Sequence, residues 1–175
     1  MAERTGIAWT RSTFNPWIGC TAVSPGCDNC YADALDDKRF SKNPAMGGGT
    51  KEKPVRHFGL GAPRHRTSAQ YWRQPLQWNR VAGLEQKGLG TPRDWHKPGF
   101  WPVFPSLCDP FDNEVPEGWR EDFIRLTCQT PNLTWLLLTK RIGNAGKMMA
   151  QYVDPVRDNI WLGASIVNQD EADRD

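Results

Sequence analysis

Residues 134–139 read TWLLLT and residues 159–166 read NIWLGASI, and these two apolar segments decide the fold of the chain. Each has the length of one strand and lacks the alternation of a half-exposed strand, which is typical of strands buried on both faces of a parallel sheet. Residues 142–152 between them have a helical pattern. The sequence therefore predicts a β–α–β unit with parallel strands in this part of the chain.

The alternation of strands and helices continues towards the N-terminus. A helix is predicted from Pro116, a residue suited to a first turn, to about Cys128. Residues 101–107 precede it as an apolar strand, residues 28–40 have a helical pattern, and residues 6–10 are predicted as a first strand. We predict one α/β domain over residues 1–175.

The order of these elements favours a partial (β/α) barrel with parallel strands, truncated at its C-terminus. The last predicted strand, at residues 159–166, is followed only by the start of a helix at residues 168–171. A parallel strand in that position is left as an uncovered edge. Residues 41–99 are predicted as a loop-rich insertion, with a helix at 68–80 that is kinked or interrupted at Pro75 and a loop at 81–99.

Charge is distributed unevenly along the chain. The whole chain has a formal net charge of +2, whereas residues 41–66 contain six Lys and Arg residues against the single acid Glu52. A basic segment rich in Gly and Pro is either a solvated loop or a contact for a polyanion. On the second interpretation, residues 41–66 bind nucleic acid or a nucleotide.

Composition also excludes some classes of protein. No apolar run is long enough to span a bilayer, and the first residues lack the pattern of a signal peptide, so we expect a cytoplasmic protein without a membrane partner. The five cysteines are an odd number, which favours metal binding over disulfides. Nine tryptophans are scattered along the chain and are expected to be core and loop anchors rather than base-stacking platforms. No Ser-His-Asp order, phosphate-binding G-x4-GK or H-E-x2-H pattern is present.

Three cysteines, Cys20, Cys27 and Cys30, lie close together in the run GCTAVSPGCDNCYA at residues 19–32. Thiolates are favoured near a helix start, and three of them can bind a [4Fe–4S] cluster that keeps one iron open. A closed zinc site would need a fourth ligand. Three reduced thiols without a metal are the remaining alternative. The side chains that could complete a zinc site are His57, His65, His96, Cys108 and Cys128.

In parallel barrels, reactive side chains follow the carboxyl ends of the strands. By that rule the candidate cofactor-binding residues are Ser106, Asp109, Lys140, Arg141, Ser165 and Asn168. Asp109 and Asp112 could contact ribose hydroxyls, although Asp112 also suits a helix cap. Lys140 and Arg141 could pair with a carboxylate or phosphate, or could be surface cations at a helix start. Cys108 is better placed for this site than Cys128, which we expect to pack as a small apolar residue.

Four segments resemble an uncharacterised phage and prophage protein family with a radical-SAM-like cysteine motif. They are TGIAWTRSTFNPWIGCTAVSPGCDNCYA at 5–32, VFPSLCDPF at 103–111, LLLTKR at 136–141 and IWLGASI at 160–166. The resemblance implies a (β/α) barrel that binds a [4Fe–4S] cluster and S-adenosylmethionine. The usual radical-SAM spacing is C-x3-C-x2-C, whereas this chain has C-x6-C-x2-C.

We therefore expect an iron–sulfur enzyme of radical-SAM type, with Cys20, Cys27 and Cys30 as cluster ligands and with no catalytic residue assigned. Its substrate is unknown, and nucleic acid or a nucleotide is the class favoured by the basic segment. The alternative is a zinc-stabilised phage-encoded binding module in which the same cysteines are structural.

Overall fold

The computed structural model describes residues 5–89, 99–152 and 157–174, and its centre is a parallel sheet of four strands. In spatial order these are β1 (Ser12–Thr13), β4 (Pro102–Phe104), β5 (Thr134–Thr139) and β6 (Ile160–Ala164). All three pairings are parallel, so the four carboxyl ends lie at one edge of the sheet. The α/β class with parallel strands is confirmed. The described residues form no closed barrel.

One face of the sheet is covered by α3 (Glu117–Gln129) and α4 (Ile142–Ala150). On β5, Trp135 and Leu137 are fully buried and belong to the same core cluster as Phe123 of α3. Leu136 and Leu138 point to the other face and are only half-buried. The prediction of β5 was correct in its bounds, but the prediction that both of its faces are buried was wrong, because helices cover only one face.

The last strand, β6, differs most from its prediction as a buried strand over residues 159–166. It spans Ile160–Ala164, and its first residue alone is buried. Trp161 and Leu162 are 55% and 41% exposed, because β6 pairs with β5 alone and no described element covers its free side. The helix predicted after it is present as α5 (Gln169–Arg174).

The first strand lies later than residues 6–10. β1 consists of Ser12 and Thr13, which are buried although both are polar. A second, antiparallel pair joins β2 (Trp17–Ile18) to β3 (His65–Arg66) and ties the end of the basic segment to the start of the chain. This long-range pairing has no signal in local hydropathy.

The helix predicted at residues 28–40 is shorter and irregular. α1 spans Tyr31–Leu35 and continues into a π-helical turn, Asp36–Phe40. At Pro75 a 3-10 turn (Tyr71–Arg73) gives way to α2 (Gln74–Gln86). Pro75 lies in the first turn of α2, where a proline removes no hydrogen bond that the helix needs. The helix also continues into residues 81–86, which were predicted as loop. Residues 90–98, with His96, lie outside the described residues.

Buried aromatic and ionic contacts hold these elements together. Trp17, Trp101 and Trp135 are fully buried, as expected for core anchors. Arg11 makes two 2.9 Å hydrogen bonds to the carboxylate of Glu85 on α2, and its guanidinium lies 3.6 Å from the centre of the Trp101 ring. Among the described residues, no helix has both the length and the apolar character needed to cross a membrane.

Candidate cofactor site

A cavity of about 580 Å³ opens at the edge of the sheet where the parallel strands end. Cys108 and Asp109 reach it from the loop after β4, Lys140 and Arg141 from the end of β5, and Ser165 from the end of β6. Ser106 also lines it. Five of the six predicted cofactor-binding residues therefore line this cavity. This is the result expected for side chains that follow parallel strands, because the strands end at one edge of the sheet.

All three clustered cysteines line this cavity. Cys20 directly follows Gly19, which forms a parallel bridge with Cys108. Gly19 has a φ of +119°, and a Cβ there would lie 2.3 Å from the backbone oxygen of His57, so only glycine fits. Cys27 ends a 3-10 turn, and Cys30 is the N-cap of α1, consistent with the predicted helix start.

The thiols share a cavity without forming a compact ligand set. Within the residues that the structure describes, no three Cys, His, Asp or Glu side chains are close enough together to hold a metal ion. All five cysteines are free. Burial raises the pKa of Cys20 from 9.0 to about 11, although the neighbouring Arg141 acts in the opposite direction. The donor chemistry fits an iron–sulfur cluster or zinc, because three soft sulfur atoms face one space.

Arg141 is the residue that contacts Cys20 most directly. Its Nη1 donates to Cys20 Sγ at 3.4 Å and to Asp109 Oδ2 at 2.9 Å, and its Nη2 donates to the backbone oxygen of Thr21. The side chain is only 7% exposed. The guanidinium is therefore engaged by protein groups, and it holds the turn at Cys20 in place.

Asp109 is surrounded by hydrogen-bond donors. Its Oδ1 accepts from the backbone N–H of Phe111 at 2.9 Å and from Thr139 Oγ1 at 2.7 Å. Its Oδ2 accepts from Arg141 and, at 3.4 Å, from the backbone N–H of Lys140. This carboxylate thus ties the loop after β4 to the end of β5, a use that differs from the ribose contact predicted for it.

Asp112, the second residue predicted to contact ribose, also forms its hydrogen bonds with other residues of the protein. Its Oδ2 accepts from Arg64 Nε at 2.9 Å and Nη2 at 2.8 Å, and both side chains are nearly fully buried. Arg64 also donates to the backbone oxygens of His57, Gly59 and Ala62. The loop that contains these residues is thereby fixed against the Cys20 turn.

Other arginines of the basic segment 41–66 also have acidic partners. Arg56 pairs with Asp33 and Asp37, and Arg66 contacts Asp122 at 2.6 Å. Lys42 lies 4.0 Å from Asp37, so together with Arg64 four of the six cations of the segment pair with acids from outside it, which leaves less positive charge for a polyanion. Binding of nucleic acid by this segment stays a prediction.

Of the two predicted cations, Lys140 is the one that can still pair with an anionic ligand in the cavity. It is half-buried, lines the cavity, and has no carboxylate partner among the described residues. Ser106 is held nearby through its backbone oxygen, which accepts from the Tyr31 hydroxyl at 2.8 Å. Asn168 does not line the cavity: its Oδ1 accepts from the backbone N–H of Glu171 at 2.9 Å and caps α5.

Several wall residues were not predicted from the sequence. Trp9 and Phe104 form a ring pair with centroids 4.6 Å apart, and Leu138, Phe58 and Tyr31 complete a largely apolar wall. The alternation along β4 and β5 could have indicated Phe104 and Leu138, which lie on the face away from the helices. The position of Trp9 depends on an irregular segment before β1 and had no local signal.

The other predicted zinc ligands differ in their placement. Cys108 lines the cavity, whereas Cys128 is half-buried in α3 against the core, as expected for it. His57 is buried, and its Nδ1 lies 2.7 Å from Asp36 Oδ1. His65 lies on β3 with its ring 5.9 Å from that of His57, and neither ring lines the cavity.

The fold and this cavity define an α/β protein with a cysteine-rich site at the carboxyl edge of a parallel sheet. The model of the protein family of unknown function DUF5131 matches residues 4–175, so the chain belongs to that family. No curated protein and no solved structure matches the chain.

Proposed function

We propose that this protein is an iron–sulfur enzyme of the radical-SAM type, built on a partial (β/α) barrel. The observation that carries the proposal is that Cys20, Cys27 and Cys30 line one cavity together with side chains from the ends of three parallel strands. The last three strands of the sheet, β4, β5 and β6, follow one another in the chain and in the sheet with helices on one face, which is the arrangement of consecutive units in a (β/α) barrel.

Cys20, Cys27 and Cys30 would hold the [4Fe–4S] cluster, and three thiolates leave one iron open for a further ligand. When bound together with S-adenosylmethionine, such a cluster supplies one-electron reductive cleavage of the sulfonium. Among the described residues the three thiols do not form a compact ligand set, so their side chains would be drawn together as the cluster binds, a coupling that is general for metal sites.

The residues of the cavity would place and bind the cofactor. Arg141, which pairs with Asp109, contacts the sulfur of Cys20 and the backbone oxygen of Thr21. Lys140 offers a positive charge to an anionic group such as a carboxylate, and the ring pair of Trp9 and Phe104 offers an apolar surface to a flat ring. The free cysteines suit a reducing compartment, and we place the enzyme in the cytoplasm of a bacterial or phage-infected cell.

A zinc-stabilised binding module is a second candidate, favoured by the position of Cys108. This fourth thiol lines the same cavity as the three clustered cysteines. Four thiolates are the ligand set of a closed structural zinc site. On this alternative no coordination position stays open.

Metal analysis after anaerobic reconstitution with iron, sulfide and zinc separates the two. The radical-SAM proposal predicts about four irons and four sulfides per chain, with broad visible absorption. Stoichiometric zinc without sulfide would contradict it and would support the binding module. The same analysis of the Cys108→Ala variant is the matched control, because only the zinc site needs that thiol.

A further inference from the structure

A second cavity, of about 750 Å³, adjoins the cysteine-lined one. The two cavities share Ile7, Tyr31 and Ser106 as lining residues. Its volume lies within the range of small-molecule sites. The clustered cysteines do not line it, so its chemistry differs from that of the first cavity.

Tyr31 forms the boundary between the two cavities. Its hydroxyl donates to the Ser106 backbone oxygen at 2.8 Å, which fixes the ring across the gap between α1 and the loop after β4. Tyr31 is 55% exposed although its backbone belongs to α1 and its hydroxyl is hydrogen-bonded, because open space lies on either side of the ring. A molecule in the second cavity therefore shares the Tyr31 ring as a wall with the cysteine-lined cavity.

The wall of the second cavity contains one cation, Arg39, on the π-helical turn Asp36–Phe40. Single π-turns are found frequently at functional sites. The acids of this turn have other partners: Asp36 contacts His57, and Asp37 contacts Arg56. Arg39 itself has no carboxylate partner among the described residues. Its guanidinium is therefore available to a ligand, unlike that of Arg141 in the first cavity.

The rest of the wall suits a flat apolar group with polar edges. Phe40, Leu35 and Met46 provide apolar surface next to the Tyr31 ring. Asn43 and Thr13 add an amide and a hydroxyl. Aromatic side chains bind nucleobases through stacking that tolerates any base, and arginine binds phosphate through a two-pronged contact.

We propose that the second cavity is the substrate site and that the substrate is a nucleoside monophosphate. In this assignment Arg39 binds the phosphate, and the base lies against Tyr31 and Phe40. The term substrate rests on the radical-SAM function proposed above, whereas the binding of the nucleotide does not. A cavity of this size holds one nucleotide, so the proposal does not extend to a nucleic acid strand.

Calorimetric titration of the full chain with AMP, GMP, CMP and UMP tests the proposal, both as purified and after reconstitution. We expect at least one of them to bind under both conditions. Arg39→Gln is expected to weaken that binding about tenfold or more, because a charge-assisted hydrogen bond to phosphate is lost. The corresponding nucleoside, which lacks the phosphate, should bind wild type and variant equally.

Lys38→Gln is the matched control, since it removes the same charge from the neighbouring exposed position and should leave the affinity unchanged. Arg39→Lys keeps the charge and should restore part of the affinity, which separates a lost contact from a disturbed fold. Failure of all four nucleotides to bind, or equal affinity of the Arg39→Gln variant and wild type, would overturn the proposal. Binding without any iron in the reconstituted chain would overturn the radical-SAM function and leave the nucleotide site standing.

Discussion

The Cys27→Ala variant is expected to lose its iron–sulfur cluster completely, whereas Cys128→Ala keeps it. Cys27 lines the cavity with Cys20 and Cys30, and two thiolates are too few to hold a [4Fe–4S] cluster firmly. Cys128 packs against the core from α3, on the helical side of the sheet. Iron and sulfide per chain after anaerobic reconstitution, with the visible absorption, measure the difference.

The pair of variants is matched in chemistry, because each removes one half-buried thiol. Circular dichroism of both checks that the fold is retained before iron is counted. If the two variants retain equal amounts of iron and sulfide, the assignment of Cys27 as a ligand is wrong.

Asp109→Asn is expected to lower the free energy of unfolding by about 3 kcal/mol, because it removes one partner of a buried ion pair. All four groups around the carboxylate are donors, namely two backbone N–H groups, the Thr139 hydroxyl and the Arg141 guanidinium. Whichever way the new amide is turned, its N–H2 group faces donors. Urea unfolding of the chain without added metal measures the loss. Because Arg141, which contacts Cys20, loses its charged partner, Cys20 should also bind iron less firmly.

Asp122→Asn provides the comparison for this prediction. Asp122 pairs with Arg66 at the surface, and its side chain is 51% exposed, so its loss should cost no more than about 1 kcal/mol. If Asp109→Asn is as stable as wild type but binds S-adenosylmethionine more weakly, the result would instead support the ribose contact that the sequence suggested for Asp109.

The second half of the fold was predictable because its elements are local and regular. β5 has the predicted bounds, α3 begins directly after Pro116, and α4 begins at Ile142, where its helical pattern was predicted to start. β1 was missed because its two residues are polar, and they are strand residues only through pairing with β4. The exposure of β6 could not be predicted either, since local hydropathy does not reveal what covers a strand.

The position of the site was also predictable, but the use of its charges was not. Because parallel strands end at one edge of the sheet, Ser106, Lys140 and Ser165 could be predicted to lie close together, and all three line the cavity. Arg141 and Asp109, however, are 32 positions apart in the chain, and nothing in the sequence indicates that they pair. The second cavity depends on an irregular π-turn and had no sequence signal at all.

The most direct test of an open iron in a three-cysteine cluster is electron paramagnetic resonance of the reconstituted, reduced chain. The spectrum is recorded before and after S-adenosylmethionine is added. We predict a reduced [4Fe–4S] signal whose g values change on addition, because the ligand occupies the open coordination position. A chain that binds iron and sulfide but gives the same spectrum with and without S-adenosylmethionine would contradict this site.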